Sequence, residues 1–173
     1  SVVVREAFNV GVDIINDVSM MNYDFDMIDT VCDLNIPFIL THNKQIDQKQ
    51  DVIVSIKKDF KKSINKLDQK GFDLSKLIID PGIGFGKTAD QSISIINDLN
   101  QLKLGFPVLI GTSRKSHIGK VLNLPVSERL EGTAATVAIS IDRGADIIRV
   151  HDVKEMIRVA QMTDAITRRR NSG

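Results

Sequence analysis

Residues 80–88, Asp-Pro-Gly-Ile-Gly-Phe-Gly-Lys-Thr, combine a carboxylate with three glycines, an aromatic ring and a lysine. Two phosphate-binding motifs are each excluded by a single position. A P-loop ending at Gly86-Lys87 needs a glycine where Pro81 stands. A dinucleotide fingerprint starting at Gly82 needs its third glycine where Lys87 stands. The segment therefore needs another interpretation.

What remains is a carboxylate at the end of an apolar run, followed by a tight loop. Glycines such as Gly84 let the backbone approach a flat ligand closely, and Phe85 offers that ligand an apolar surface. An ionised Asp80 can accept two parallel N–H bonds from an amidine-like edge, such as that of an aminopyrimidine. A loop-capping aspartate is the alternative, and this segment alone leaves both interpretations open.

A second candidate segment follows the apolar run Pro107–Ile110 and consists of Ser113, Arg114, Lys115 and Ser116. It precedes what reads as a short helix. Two cations and two hydroxyls at a strand end and a helix N-terminus predict an anion site. The alternative is a charged turn exposed to solvent.

The third candidate lies within the last predicted strand, where alternation puts Arg149 and His151 on one side and Val150 on the other. Two such groups on one face can hold a diphosphate, because the arginine fork donates parallel hydrogen bonds. An ion pair of Arg149 with Asp146 or Asp152 is the structural alternative.

Single residues carry weaker signals. Asn16 offers an amide suited to a heterocycle edge, although it or Asp17 could instead cap the following turn. His42 fits a structural role and a ligand contact equally well, whereas His117 is expected to be exposed. Cys32 is expected to be a small buried side chain. Histidines and carboxylates do not cluster with the spacing of metal ligands, so no metal site is predicted.

The elements that must position these groups alternate between strand and helix. Short apolar runs predict parallel strands covered on both faces, at Val12–Ile15, Pro37–Leu40, Leu77–Ile79, Pro107–Ile110 and Ala145–Val150. Apolar repeats at helical spacing predict helices around Ile53–Leu67, Ile93–Leu99, Leu130–Ile141 and Val153–Ala160.

Each predicted strand closes on a polar residue, at Asn16, His42, Asp80, Ser113 and His151. The separations of 26, 38, 33 and 38 residues each match one βα unit. All strand ends face one mouth in a (β/α)8 TIM barrel, which such polar endings favour. Because a barrel needs eight strands, we expect residues 1–173 to form a single α/β domain, a partial barrel that holds strands 4 to 8 and is incomplete at its N-terminus.

Composition excludes several classes of partner. The formal net charge of +1 creates no field that attracts nucleic acid or an anionic membrane. Lysines within 57–62 and the run Arg168–Arg170 could form nucleic-acid patches. Because aromatic residues are not interleaved with them, they are interpreted instead as a solvated helix face and a cationic helix end. No apolar stretch approaches the roughly 18 residues of a membrane span. A cytoplasmic location is the default expectation.

In register, the segments 15–17, 40–42, 80–88, 113–116 and 149–152 resemble dihydropteroate synthase along the whole chain. The resemblance implies a homodimeric transferase of folate biosynthesis that uses Mg²⁺. It would join 4-aminobenzoate to 6-hydroxymethyl-7,8-dihydropterin diphosphate and release diphosphate. Loss of diphosphate would leave a pterin methylene cation, which the aromatic amine would then attack.

The resemblance also implies roles for individual residues. Asn16 and Asp80 would bind the pterin ring, with Gly84 and Phe85 bordering the pocket. Lys115, Arg149 and His151 would be catalytic, the last two holding the diphosphate. Ser116 would meet the aminobenzoate carboxylate, and Ser113 and Arg114 would complete the substrate site.

The sequence departs from the family at two points. Thr41 stands where methionine is usual, so the pterin packing is expected to differ. The family's magnesium-binding asparagine and a further pterin-binding aspartate have no counterpart, so the chain alone is predicted to be inactive. Alternatives are a pterin-binding methyltransferase barrel, for which Ser113–Ser116 and Arg149 with His151 are not expected, and a non-catalytic pterin-binding fragment.

Overall fold

A computed structural model describes residues 1–167 of the chain. The strands are β1 (Ile15–Asp17), β2 (Phe38–Thr41), β3 (Leu77–Asp80), β4 (Leu109–Ile110) and β5 (Ile147–Ile148). The helices are α1 (Val2–Asn9), α2 (Met27–Leu34), α3 (Val52–Gln69), α4 (Ala89–Asn97), α5 (Ser116–Leu122), α6 (Leu130–Asp142) and α7 (Val153–Thr167). Short 3₁₀ turns cover Leu74–Lys76, Leu99–Leu102 and Val126–Glu128. The predicted cationic helix end, Arg168–Arg170, lies outside the described residues.

The five strands are parallel and follow one another in chain order. β1 pairs with β2, β2 with β3, and β4 with β5. A parallel bridge between Ile79 and Val108 joins β3 to β4. Because all strands run the same way, their C-terminal ends lie at one edge, which confirms the predicted α/β architecture.

Several strands are shorter than predicted, most clearly at the two ends of the sheet. β1 begins only at Ile15, and the three residues before it, 12–14, are exposed. β5 covers two residues, although the backbone N–H of Arg149 still donates to the carbonyl of Ile110 at 3.0 Å. Within residues 1–167, β1 and β5 each pair on one side only, so fewer ladder bonds extend them.

Helix α3 shows why the central part of the chain folds as predicted. Asp51 caps it by accepting bonds from the N–H groups of Ile53 and Val54, at 2.8 and 3.1 Å. Its apolar face buries Ile56 and Phe60 completely, each worth about 1.5–3 kcal/mol. Three of the four lysines of the opposite face, Lys58, Lys61 and Lys62, are exposed, as the repeat indicated.

All four residues of β2 are buried, as in a parallel strand covered on both faces.

The helices near the end of the chain are less buried than their apolar repeats predicted. Leu130, Val153 and Ile157 are exposed, and the buried apolar side chains are Val137 on α6 and Met156 on α7. Both helices pack against each other, and no strand of the described residues lies beyond β5. Their outward apolar side chains therefore meet solvent.

Two smaller expectations also need correction. Ile93, predicted to face the core from α4, is 40% exposed, whereas Ile96 and Leu99 are buried. Cys32 is half-buried on α2, where it packs against the core, rather than fully buried. Across residues 1–167, every helix is too short or too polar to cross a bilayer.

Candidate active site

The strand ends bring together Asn16, Asp80 and Arg149, which lie far apart in the sequence. The guanidinium of Arg149 donates through Nη1 to Asn16 Oδ1 and through Nη2 to Asp80 Oδ2, both at 2.8 Å. The other carboxylate oxygen of Asp80 accepts from the N–H of Gly82 at 2.8 Å, and Asn16 Nδ2 donates to Thr41 Oγ1 at 3.1 Å. Two acceptor oxygens are thus fixed side by side, and a planar fork of donors bridges them.

Gly111, just after β4, makes room for this bridge. A Cβ at this position would lie 3.2 Å from Nη2 of Arg149, so a side chain there would press on the guanidinium. The ion pairs that sequence offered as alternatives for Arg149 are not formed. Asp146 instead accepts from the N–H of Val108 at 2.8 Å, and Asp152 pairs with Arg114.

The loop after Asp80 packs tightly against the end of β2. Its glycines Gly82, Gly84 and Gly86 have φ values of +69°, +79° and +63°, which favour glycine. A Cβ on Gly82 would collide with the carbonyl oxygen of His42. Gly84 is exposed and lines a cleft of about 960 Å³ between this loop and residues 45–49. The glycines therefore allow both the turn and the close contact between the loop backbone and the end of β2.

Lys115 reaches this loop from the β4–α5 connection. Its Nζ donates to the carbonyl of Ile83 and lies 5.0 Å from the centre of the half-buried Phe85 ring, a cation–π contact. Burial lowers the pKa of Lys115, the Asp80 carboxylate opposes this shift, and the Arg149 guanidinium adds to it. The ammonium is thus held beside Asp80 and Arg149 in a partly desolvated place.

The other residues of segment 113–116 point in different directions. Ser113 is buried, with its Oγ 2.9 Å from Nδ1 of His151, so it orients that ring. Arg114 has φ +57° and forms a two-pronged ion pair with Asp152, in which Nε lies 3.0 Å from Oδ2. Ser116 is exposed at the start of α5. The structure gives Arg114 an internal partner, and its predicted substrate contact stays a prediction.

His42, for which sequence left two interpretations open, occupies a structural position. It is fully buried at the end of β2, with Nε2 3.1 Å from Asp59 Oδ2 and Nδ1 2.9 Å from Lys87 Nζ. Burial and the Lys87 charge lower the pKa of His42 to about 4, so the ring is neutral at physiological pH.

The expectation that His117 is exposed is wrong. The side chain is 2% exposed and turns inward from α5, beside Ile96 and Thr136. Burial lowers its pKa to about 4. Neither ring nitrogen meets a hydrogen-bond partner within residues 1–167. A seven-residue helix is too short to show which of its faces is buried, so sequence gave no signal.

Sequence reasoning missed two residues that organise the site. Lys87 served only to exclude a dinucleotide motif, yet its Nζ donates to three acceptors around the Asp80 loop. Asp59 lies among the lysines of α3 and had no signal at all. Each pairing depends on a contact between distant elements, which local patterns do not reveal.

A metal site is not supplied by these residues. Within residues 1–167, histidine, cysteine and carboxylate side chains nowhere gather in a group of three or more that could hold an ion. The Mg²⁺ implied by the resemblance has no fitting set of ligands here, and no chemical step is assigned to it.

Parallel strands whose C-terminal ends gather a carboxylate, an amide and cations are typical of the βα-barrel class of α/β proteins. Residues 1–151 match the family model described as pterin binding enzyme, and the chain belongs to this family. It is 45% identical over 169 residues to the dihydropteroate synthase of Clostridium beijerinckii, covering 96% of this chain and 63% of that protein.

Two solved structures agree with this assignment. A dihydropteroate synthase of Clostridium difficile, solved in the presence of pteroic acid, superposes with a TM-score of 0.91 at 44% identity. That match covers 95% of this chain and 63% of the other. The enzyme of Xanthomonas albilineans with 4-aminobenzoic acid gives 0.90 at 32% identity, over 95% and 61%. The chain thus spans less than two thirds of the length of these relatives.

Proposed function

We propose that this chain carries the pterin and diphosphate sites of a dihydropteroate synthase. The reaction joins 6-hydroxymethyl-7,8-dihydropterin diphosphate to 4-aminobenzoate and releases diphosphate. The pterin class follows a relative solved in the presence of pteroic acid, and the aminobenzoate class follows one solved with 4-aminobenzoic acid. The diphosphate rests on the family resemblance. One observation carries the proposal, namely the paired acceptors of Asn16 and Asp80.

These acceptors are arranged for a guanidine-like edge. Arg149 satisfies both with coplanar N–H donors at 2.8 Å. The amino-pyrimidinone edge of a pterin presents N–H donors in the same planar arrangement, and a carboxylate accepts such pairs with high directionality. A bound pterin would therefore take the place of the guanidinium at Asn16 and Asp80. The displaced Arg149 would keep its charge and become free to stack on the ring or to bind phosphate.

The leaving group would meet Arg149 and His151. Ser113 already orients the His151 ring through a 2.9 Å contact with Nδ1, which leaves Nε2 to face a phosphate oxygen. Stabilising the departing diphosphate and shielding the methylene cation from water would accelerate the reaction. Lys115 lies over Phe85 and beside Asp80, where it would border both the pterin and the incoming amine.

The methyltransferase alternative uses the same Asn16 and Asp80 but no diphosphate. The Ser113–His151 contact and the cation at Arg149 support the synthase. A single pterin-binding domain, a homodimer, Mg²⁺ as cofactor and a cytosolic location complete the proposal. These four points rest on the family resemblance.

Replacing Asp80 by asparagine tests the pterin site directly. Asp80→Asn removes the charged acceptor and is expected to weaken binding of the dihydropterin alcohol, which lacks phosphates. A charged hydrogen bond is worth about 1.5–3 kcal/mol, or roughly ten- to a hundredfold in affinity. Calorimetry on the chain measures it, with Asp90→Asn as the matched control, because Asp90 is exposed on α4. Equal affinities of Asp80→Asn and the parent chain would refute the pterin assignment.

A further inference from the structure

Lys87 ends the Asp80 loop with all three ammonium hydrogens engaged. Its Nζ donates to His42 Nδ1 at 2.9 Å, to the His42 carbonyl at 3.1 Å and to the Phe85 carbonyl at 2.8 Å. An ammonium group has three donors and no acceptor, so the set is complete. Two of the three acceptors belong to His42 at the end of β2, and the third belongs to the loop. The lysine therefore fastens the Asp80 loop to the end of β2.

The buried His42 is prepared for this contact. Nδ1 can accept from Lys87 only if the ring is neutral and carries its hydrogen on Nε2. Asp59 Oδ2, 3.1 Å from Nε2, accepts that hydrogen, and Asp59 Oδ1 is in turn held by Lys44 Nζ at 2.7 Å. The Asp59 carboxylate of α3 therefore favours the His42 tautomer whose Nδ1 accepts a hydrogen bond from Lys87.

The fastened loop positions the carboxylate of Asp80. The His42 N–H donates to the Asp80 carbonyl at 2.8 Å, and Gly82 packs on the same His42 carbonyl that Lys87 holds. The Gly82 N–H in turn fixes Asp80 Oδ1 at 2.8 Å, which leaves Oδ2 turned toward Arg149. Movement of this loop would therefore move the acceptor that the proposed pterin needs.

We propose that Lys87 is a positioning residue for pterin recognition. Its ammonium, received by His42, holds the loop in the conformation that aims Asp80 and Phe85 at the ligand. The identity of the ligand rests on the proposed function, whereas the fastening of the loop rests on the contacts themselves.

The charge of Lys87 gives this role a pH signature. Burial lowers the pKa of Lys87 to about 8, with Asp80 and Asp59 opposing the shift and Lys115 adding to it. His42 is neutral throughout this range, since its own pKa is about 4. Above pH 8 the amine is neutral in the closed loop, whereas a lysine released by opening of the loop would regain its ordinary pKa of 10.5. Loss of the proton between these values therefore favours the closed loop, and pterin affinity should hold or rise.

Global stability should respond with the same sign. The pKa of Lys87 is lowered from 10.5 to about 8 in the folded chain, so between these values the unfolded chain binds more protons. The contribution of this group to the free energy of unfolding therefore rises with pH in that window.

The test compares Lys87→Met with Lys120→Met, whose lysine pairs with Asp90 on the surface. The dihydropterin alcohol is titrated into each chain by calorimetry at pH 7 and pH 9. Lys87→Met is expected to bind about tenfold more weakly at pH 7, the size of one lost charged contact. The affinity ratio of the parent chain to Lys87→Met should be at least as large at pH 9, and Lys120→Met should match the parent chain at both pH values. Titration of the ligand itself cancels in this ratio.

Amide hydrogen exchange separates this proposal from the function on which it rests. In Lys87→Met the amides of Gly82 and Phe85 should exchange at least about tenfold faster than in Lys120→Met, with no ligand present. If the parent chain binds no pterin, the proposed function fails and exchange still decides the role of Lys87. Unchanged exchange, or an unchanged pterin affinity at pH 7, would overturn the proposal. Lys87→Gln, which keeps two donors, takes the place of Lys87→Met if the methionine variant does not fold.

Discussion

At the scale of single residues, Arg149 has two competing uses. In the absence of ligand its guanidinium satisfies Asn16 and Asp80, at 2.8 Å each. With a pterin diphosphate bound, it is proposed to serve the phosphates instead. Arg149 therefore competes with the pterin ring for Asn16 and Asp80, while it strengthens binding of the phosphates.

Arg149→Met should separate these two effects. Binding of the pterin diphosphate is expected to weaken by about ten- to a hundredfold, because a charged contact is lost. Binding of the dihydropterin alcohol should stay constant or tighten, since no internal guanidinium competes for Asp80. Calorimetry with both ligands measures the two affinities.

Arg158→Met is the matched control, because Arg158 is an exposed cation on α7. It should leave both affinities unchanged. If Arg149→Met weakened the alcohol and the diphosphate to the same extent, Arg149 would be a general pterin contact, and its proposed exchange of partners would be wrong.

At the scale of elements, the Asp80 loop depends on a glycine whose replacement is costly for two reasons. Gly82 has φ +69°, and a Cβ there would collide with the His42 carbonyl. Gly71, after α3, has φ +81° but no atom within 4 Å of its Cβ position. The pair isolates the effect of the close contact from that of the backbone conformation.

Gly82→Ala is therefore expected to destabilise the chain more than Gly71→Ala. Both variants place a side chain at positive φ, which costs about 1–2 kcal/mol. Only Gly82→Ala adds the collision, for roughly 1–3 kcal/mol more. Urea unfolding gives the free energies of unfolding, and equal losses in the two variants would show that the loop moves away from β2 without cost.

The elements themselves follow from the sequence to different degrees. The order, direction and polar ends of the strands were predictable, because apolar runs and their spacing are local features. The exposed faces of α6 and α7 were not, since an apolar repeat does not tell which neighbour covers it. For the same reason the buried side of the short helix α5, which carries His117, was not predictable.

The site was predictable in its members and not in its internal contacts. Asn16, Asp80 and Arg149 were named from their places at strand ends. The bond between Arg149 and Asn16 joins residues 133 positions apart, which no local pattern encodes. Lys87 was overlooked because its role lies in three acceptors that only folding brings together.

At the scale of the whole molecule, the sheet has two unpaired edges. Within residues 1–167 there are five strands, whereas a closed barrel has eight. Apolar side chains are exposed near both edges, among them Val10 and Ile14 before β1, and Ile147 on β5. Such edges invite association with another polypeptide.

Residues 1–173 alone are therefore expected to show no synthase activity. The measurement is a coupled diphosphate-release assay with pterin diphosphate and 4-aminobenzoate. The first three βα units of the Clostridium beijerinckii relative, added as a separate polypeptide, should close the barrel and produce turnover. The same mixture with Asp80→Asn serves as the control and should stay much less active. Robust diphosphate release from the chain by itself would contradict this expectation.

The contact between Asn16 and Arg149 also has a consequence for how such a partner would bind. Five parallel strands in a flat sheet would place the outer two roughly 19 Å apart, at about 4.8 Å for each step. One arginine side chain nevertheless reaches from the last strand to the first. The sheet is therefore already bent into an arc, and the two edges face the gap that the partner must fill. Since binding is tighter when little has to be rearranged, this preformed curvature would let a complementary half dock without bending the sheet.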